Sequence, residues 1–240
     1  MAVAAPSSYQ HLDPAAVQST VDRLVVRITR RFPDRHLGGV AAELSGLVRA
    51  VTEQSSEDRR RNRAIRIACA AGAAAIIAIA VTAMILAVRE AIPESGEIRG
   101  FQWLSILESA IVDLVYGSIA VYFLMSLPNR LTRRRLLGLL HRLRSIAHVV
   151  DMHQLTKDPE RLQERFHGTD VTIVFDLDAG LLNNYLEYCT EILSLISKTA
   201  ALCAEESTDA VVLDTVSEVE TLTIGLSRKI WQKISLLRAP

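Results

Sequence analysis

Glu108 and Asp113 lie inside an otherwise apolar stretch, WLSILESAIVDLVYGSIAVYFLMSL over 103–127. A carboxylate at the centre of a membrane helix costs about 2.5–3.5 kcal/mol on insertion scales, so it should face protein or water. Two chemistries answer that demand. A protonated carboxyl can hydrogen-bond a neighbouring helix, and a ring of carboxylates can line a cation path. Asp113 shares one helical face with Ser109, Gly117 and Ala120. By helix rise it falls roughly 15 Å from Trp103, near the middle of the stretch. Glu108 is closer to the outer surface, where it can reach the headgroups.

Other chemistry-bearing residues form weaker patterns. His141, His148 and His153 are seven and five apart, spacings that do not bring a ligand pair onto one helical turn. Cys69, Cys189 and Cys203 fall on helical patterns and suggest no disulfide framework. No metal or cofactor is expected.

The stretch VTIVFDLDAGLL, residues 171–182, is an apolar run ending in Asp-x-Asp. It resembles the first motif of haloacid dehalogenase-like phosphatases. The resemblance implies Asp176 as the attacking nucleophile, Asp178 as general acid and a magnesium ion beside them. Ala179 and Gly180 stand where that family has Gly-Thr, and helical patterns follow where it has further parallel strands. From the residues themselves, Asp176 or Asp178 is the N-cap of the next helix, accepting its free backbone N–H groups. An enzyme is therefore the third choice, and no catalytic residue is assigned.

Position along the chain follows from two apolar segments. Residues 67–88, IACAAGAAAIIAIAVTAMILAV, run 22 residues without a charge, enough for a helix to cross a hydrocarbon core about 30 Å thick. Residues 103–127 form the second span, and Pro93 and Gly96 punctuate the turn between them. Arginines cluster before the first span (59, 60, 61, 63 and 66) and after the second (130, 133, 134, 135, 142 and 144). Basic flanks mark the cytosolic side, which places both termini in the cytosol and the hairpin tip outside. Trp103 and Tyr122 suit the two interfaces. Within the first span Ala70, Ala74, Ala78 and Thr82 make a small-residue stripe, with Ala68 and Gly72 as a second pair. Such stripes let backbones approach, either against the second span or against another copy of the chain.

The remaining segments are helical. Residues 1–12 lack periodicity, and Asp13-Pro14 starts a helix carrying Val17, Val21, Leu24, Val25 and Ile28 until Phe32-Pro33. A second helix follows Gly38-Gly39, with Val40, Leu44, Leu47 and Val51 on one face. This pair needs a partner surface, external or C-terminal, to complete a core. After Pro128 a basic helix reaches about His153. Leu182, Tyr185, Cys189, Ile192, Ile196, Thr199 and Cys203 then step by three and four, as do Val212, Val216, Val219, Thr223, Leu226 and Ile230. Two such seams across a short turn, capped at Ser207 or Thr208, make an antiparallel hairpin. The net charge is zero, yet residues 130–165 carry 9 basic against 4 acidic groups and residues 166–240 carry 5 against 11. A basic excess beside the membrane points to lipid headgroups, not nucleic acid, as its counterpart.

The expected fold is all-α. It comprises a disordered N-terminus (1–12), cytosolic N-terminal helices (13–62), a transmembrane hairpin (63–128) and a cytosolic helical bundle with a coiled-coil-like hairpin (129–240). The expected function is a non-catalytic integral membrane protein, at the inner or plasma membrane if bacterial, that forms homo-oligomers and engages a cytosolic protein partner. The alternative is a small cation-permeable channel or membrane-disrupting effector. Candidate residues are Glu108 and Asp113 for the pore or interhelix role, and Ala70, Gly72, Ala74, Ala78 and Gly117 for span packing.

Overall fold

The computed structural model describes residues 11–91, 102–159 and 177–238. Those residues are all-α: α1 (Pro14–Arg31), α2 (Leu37–Ala91), α3 (Gln102–Leu155), α4 (Ala179–Glu205) and α5 (Ala210–Arg238). Residues 1–10, the turn at Pro93 and Gly96, and the run to Asp176 lie outside the described residues. The chain divides into two compact units, Met1–Ser56 with Arg133–Pro240, and Glu57–Thr132.

The first unit is built around α4. Asp13 caps α1 by accepting the Ala15 N–H at 2.9 Å, and Pro14 occupies the first turn, where a missing N–H costs nothing. The apolar stripe Val17, Val21, Leu24 and Ile28 is buried, and the helix ends at Phe32. α2 starts at Leu37, ahead of the Gly38-Gly39 pair that sequence spacing places before it. Gly38 fits inside the helix because α1 passes close by. A Cβ there would sit 3.3 Å from the Thr29 Oγ1. Leu44, Leu47, Val48 and Val51 of α2, and Leu136, Leu140, Leu143 and Val150 of α3, complete one hydrophobic core with α4 and α5.

Both seams read from the sequence are buried, from Leu182 to Cys203 and from Val212 to Ile230. α4 buries more than its seam. Leu186, Leu193 and Ala200 form one further row, and Tyr188, Leu195 and Leu202 another. A helix covered over so wide an arc is the centre of a bundle. The extra rows accommodate the N-terminal helices: Phe32 meets Tyr185 and Tyr188 edge-on at centroid distances of 5.5 and 6.1 Å. Beside them Arg27 grips Glu191 with two hydrogen bonds, 2.8 and 3.2 Å, and lies over the Tyr188 ring. Of the stretch expected to lack order, Leu12 donates its N–H to the Glu205 carboxylate at 2.9 Å.

Aspartate caps start both α4 and α5. Asp178 caps α4, its Oδ1 accepting the Leu181 N–H at 2.7 Å. At α5 the cap is Asp209 instead of Ser207 or Thr208, accepting from the N–H groups of Val211 and Val212 at 3.0 and 3.3 Å. The Ser207 hydroxyl oxygen accepts the Asp209 N–H and so holds the cap in place.

In the second unit the apolar parts of α2 and α3 stay uncovered. Arg63–Leu86, and a stretch within Leu107–Leu155, are long and apolar enough to cross a membrane. A core helix of a soluble protein would be mostly buried, whereas these windows are 11% and 0% buried. Ile79, Leu114, Tyr116 and Tyr122 are all exposed. Pro128 lies within α3, so the second apolar stretch and the basic helix after it are one element.

Candidate functional site

The polar site with the strongest physical demand is Asp113. α3 turns Ala110, Asp113, Gly117 and Val121 toward a crevice of about 570 Å³, and α2 lines its other wall with Ile76, Ala80 and Met84. The spacing explains both walls, since residues three and four apart share a helical face. Apart from the Asp113 carboxylate and the Ser118 hydroxyl, the named and neighbouring lining side chains are apolar. Ser118 donates to its own helix, at the Val115 carbonyl, 2.8 Å away. Asp113 is exposed, and no described side chain hydrogen-bonds or pairs with it.

Of the face proposed from spacing, Asp113 and Gly117 line the crevice, while Ser109 and Ala120 are exposed outside its lining. Glu108 is exposed as well and is not in the lining. The small residues of α2 split into two rows. Gly72 lies against Leu124, and a Cβ there would come within 2.9 Å of a Leu124 methyl. Cys69 and Ala73 beside it are buried. Ala70, Ala74, Ala78 and Thr82 remain exposed. Sequence reasoning missed the α2 wall at Ile76, Ala80 and Met84. Its four-residue spacing is visible, but so is that of several neighbouring rows in a segment apolar all round.

The other candidates occupy structural positions. Asp176 lies outside the described residues, and Asp178 is engaged in the α4 cap. Burial pushes the Cys189 and Cys203 thiols up to about 12, which keeps both protonated at neutral pH. Burial also raises Tyr185. His153 stacks on His36 at 6.1 Å between centroids, and burial, then His36, then Lys157 hold its pKa below the usual histidine value. Among the described residues no group of three His, Cys, Asp or Glu side chains is placed to hold a metal ion.

These features define an all-α chain with two membrane-length apolar helices and an acidic residue in the crevice between them. No protein-family model matches the chain, and neither does any curated protein or solved structure.

Proposed function

We propose that this is a non-catalytic, two-pass membrane protein that self-associates through its spans and offers its five-helix unit to a cytosolic protein partner. The observation that carries the reading is the Asp113 carboxylate, exposed in an apolar crevice with no described partner. In lipid that arrangement is costly, and a second copy packed over the crevice relieves it by supplying a hydrogen-bonding neighbour. The exposed row Ala70, Ala74, Ala78 and Thr82 supports the same assembly, because small side chains allow close helix approach. Arginine-rich flanks favour a hairpin with both termini cytosolic. Arg130, lying over the Phe123 ring at 5.3 Å, suits that interface.

A second reading has one specific support. Asp113 and Gly117 together give the crevice a carboxylate beside a residue without a side chain, an arrangement that a symmetric assembly could turn into a cation path. Asp113→Asn and Asp113→Leu, compared for oligomer size and ion flux in liposomes, separate the two. For an interhelix hydrogen bond, Asn preserves assembly and Leu weakens it by about 1 kcal/mol, with no flux in any variant. For a cation path, wild type conducts and Asn lowers cation selectivity while assembly survives. A monomeric wild type in lipid would sink the self-association reading.

A further inference from the structure

A second cavity of the membrane unit has the opposite character. It measures about 880 Å³, and its polar wall is made by Arg63, Arg66 and Asn129. Its apolar wall includes Ile67 and Met125. We propose that this cavity binds the phosphate headgroup of an anionic phospholipid, with an acyl chain lying along the apolar wall. The inference rests on the membrane placement proposed above.

The geometry follows from two helical faces. Arg63, Arg66, Ile67 and Ala70 are three and four residues apart on α2, so both guanidinium groups and the adjoining apolar surface share one face. On α3 Met125, Pro128 and Asn129 repeat that spacing. Neither Arg63 nor Arg66 pairs with any side chain among the described residues, and no carboxylate lines the cavity. Planar guanidinium forks match phosphate oxygens, and the asparagine amide adds a further donor. A free phosphate would use only the polar wall. The apolar wall, at the end of a membrane-length segment, selects the lipid source. Basic pockets between spans at the cytosolic side recognise such headgroups.

The test is native mass spectrometry of the full-length protein in detergent, titrated with phosphatidylglycerol, phosphatidylcholine and inorganic phosphate. Phosphatidylglycerol should bind roughly tenfold more tightly than phosphatidylcholine, and Arg63→Gln/Arg66→Gln should erase that difference. Arg134→Gln, outside the cavity, should leave it intact. Equal loss in Arg134→Gln would mean diffuse attraction and overturn the site. Inorganic phosphate binding as tightly as the lipid would overturn the lipid assignment. Because the double variant could fold poorly, wild type is also exposed to a photoreactive phosphatidylglycerol. Adducts should map to residues 63–70 or 125–129, and adducts elsewhere overturn the proposal. Flotation of the wild type with liposomes after alkaline washing separates the two levels of failure. A protein that washes off fails the membrane reading itself, whereas one that floats without lipid preference fails this inference alone.

Discussion

Phe32→Ala tests whether the N-terminal helices and α4 fold as one cooperative unit. Phe32 is 4% exposed and meets Tyr185 and Tyr188 edge-on, at the point where α1 ends against α4. Truncating a buried phenylalanine to alanine costs about 3–5 kcal/mol, of which each edge-to-face contact accounts for roughly 0.5–1.5 kcal/mol. Surface contacts nearby cannot offset that loss, since an exposed pair such as Arg27 with Glu191 contributes about 0–1 kcal/mol. A loss near 4 kcal/mol is roughly a thousandfold rise in the open population, at about 1.4 kcal/mol per decade. Hydrogen exchange on the reconstituted protein measures it directly, because amides that open together lose protection together. Amides of α1 and of the Tyr185–Ile192 region of α4 should both lose about three decades of protection, and Phe32→Leu should lose much less. A loss confined to α1, with α4 unchanged, would refute the single unit. So would a change below about tenfold in both helices.

Two further outcomes follow from caps and titrating groups. Asp178→Asn should leave stability nearly unchanged and Asp178→Ala should cost about 1 kcal/mol in denaturant unfolding, because asparagine caps as well as aspartate and alanine does not. Retention of the full stability in Asp178→Ala would deny it the capping role. Acidification should loosen the contact between the α1–α2 turn and the end of α3, seen as faster exchange there. His153 has its folded pKa held below the ordinary 6.5 by burial, His36 and Lys157. Its contribution is complete above 6.5 and is lost as pH falls through the depressed value. His153→Gln should flatten that dependence. Asp22, lowered mainly by the Ser45 hydroxyl bond, contributes only to a later loss below its ordinary 3.8.

The helices were legible because burial repeats along them. Every seam residue from Leu182 to Cys203 is buried, since steps of three and four can satisfy only one face of a helix. The bundle's size was less legible. Rows such as Leu186, Leu193 and Ala200 repeat every seven residues beside the seam, but periodicity cannot say which neighbour covers a second face. Pairing with α1 and α2 needs long-range geometry that no local spacing carries. The cap at Asp209 turned on one residue of register, where an aspartate outcompetes the hydroxyls just before it for the free N–H groups. The Asp113 crevice depends on the rotation of two helices about their own axes. In a segment apolar on all faces, hydrophobic pattern leaves that rotation undetermined.

The charge pattern changes meaning once the helices are packed. The basic excess after the second apolar stretch reads in sequence as a lipid-facing cluster. In the fold, Arg133 lies 3.6 Å from Asp209, Arg142 3.7 Å from Glu43 and Arg144 3.3 Å from Glu218. Part of the basic excess of α3 is therefore answered by acidic groups within the same unit, two of them, Asp209 and Glu218, from the acid-rich C-terminal region. These contacts are solvent-exposed and individually weak, yet they lower the net field those arginines present to a membrane surface. Arg63, Arg66 and Arg130 differ. The first two face a cavity without a carboxylate, and the third is held over an aromatic ring. The asymmetry that orients the proposed hairpin thus draws its strongest support from the arginines at the ends of the apolar helices that pair with no carboxylate among the described residues. The anionic headgroup proposed above meets no described carboxylate in the cavity of Arg63 and Arg66.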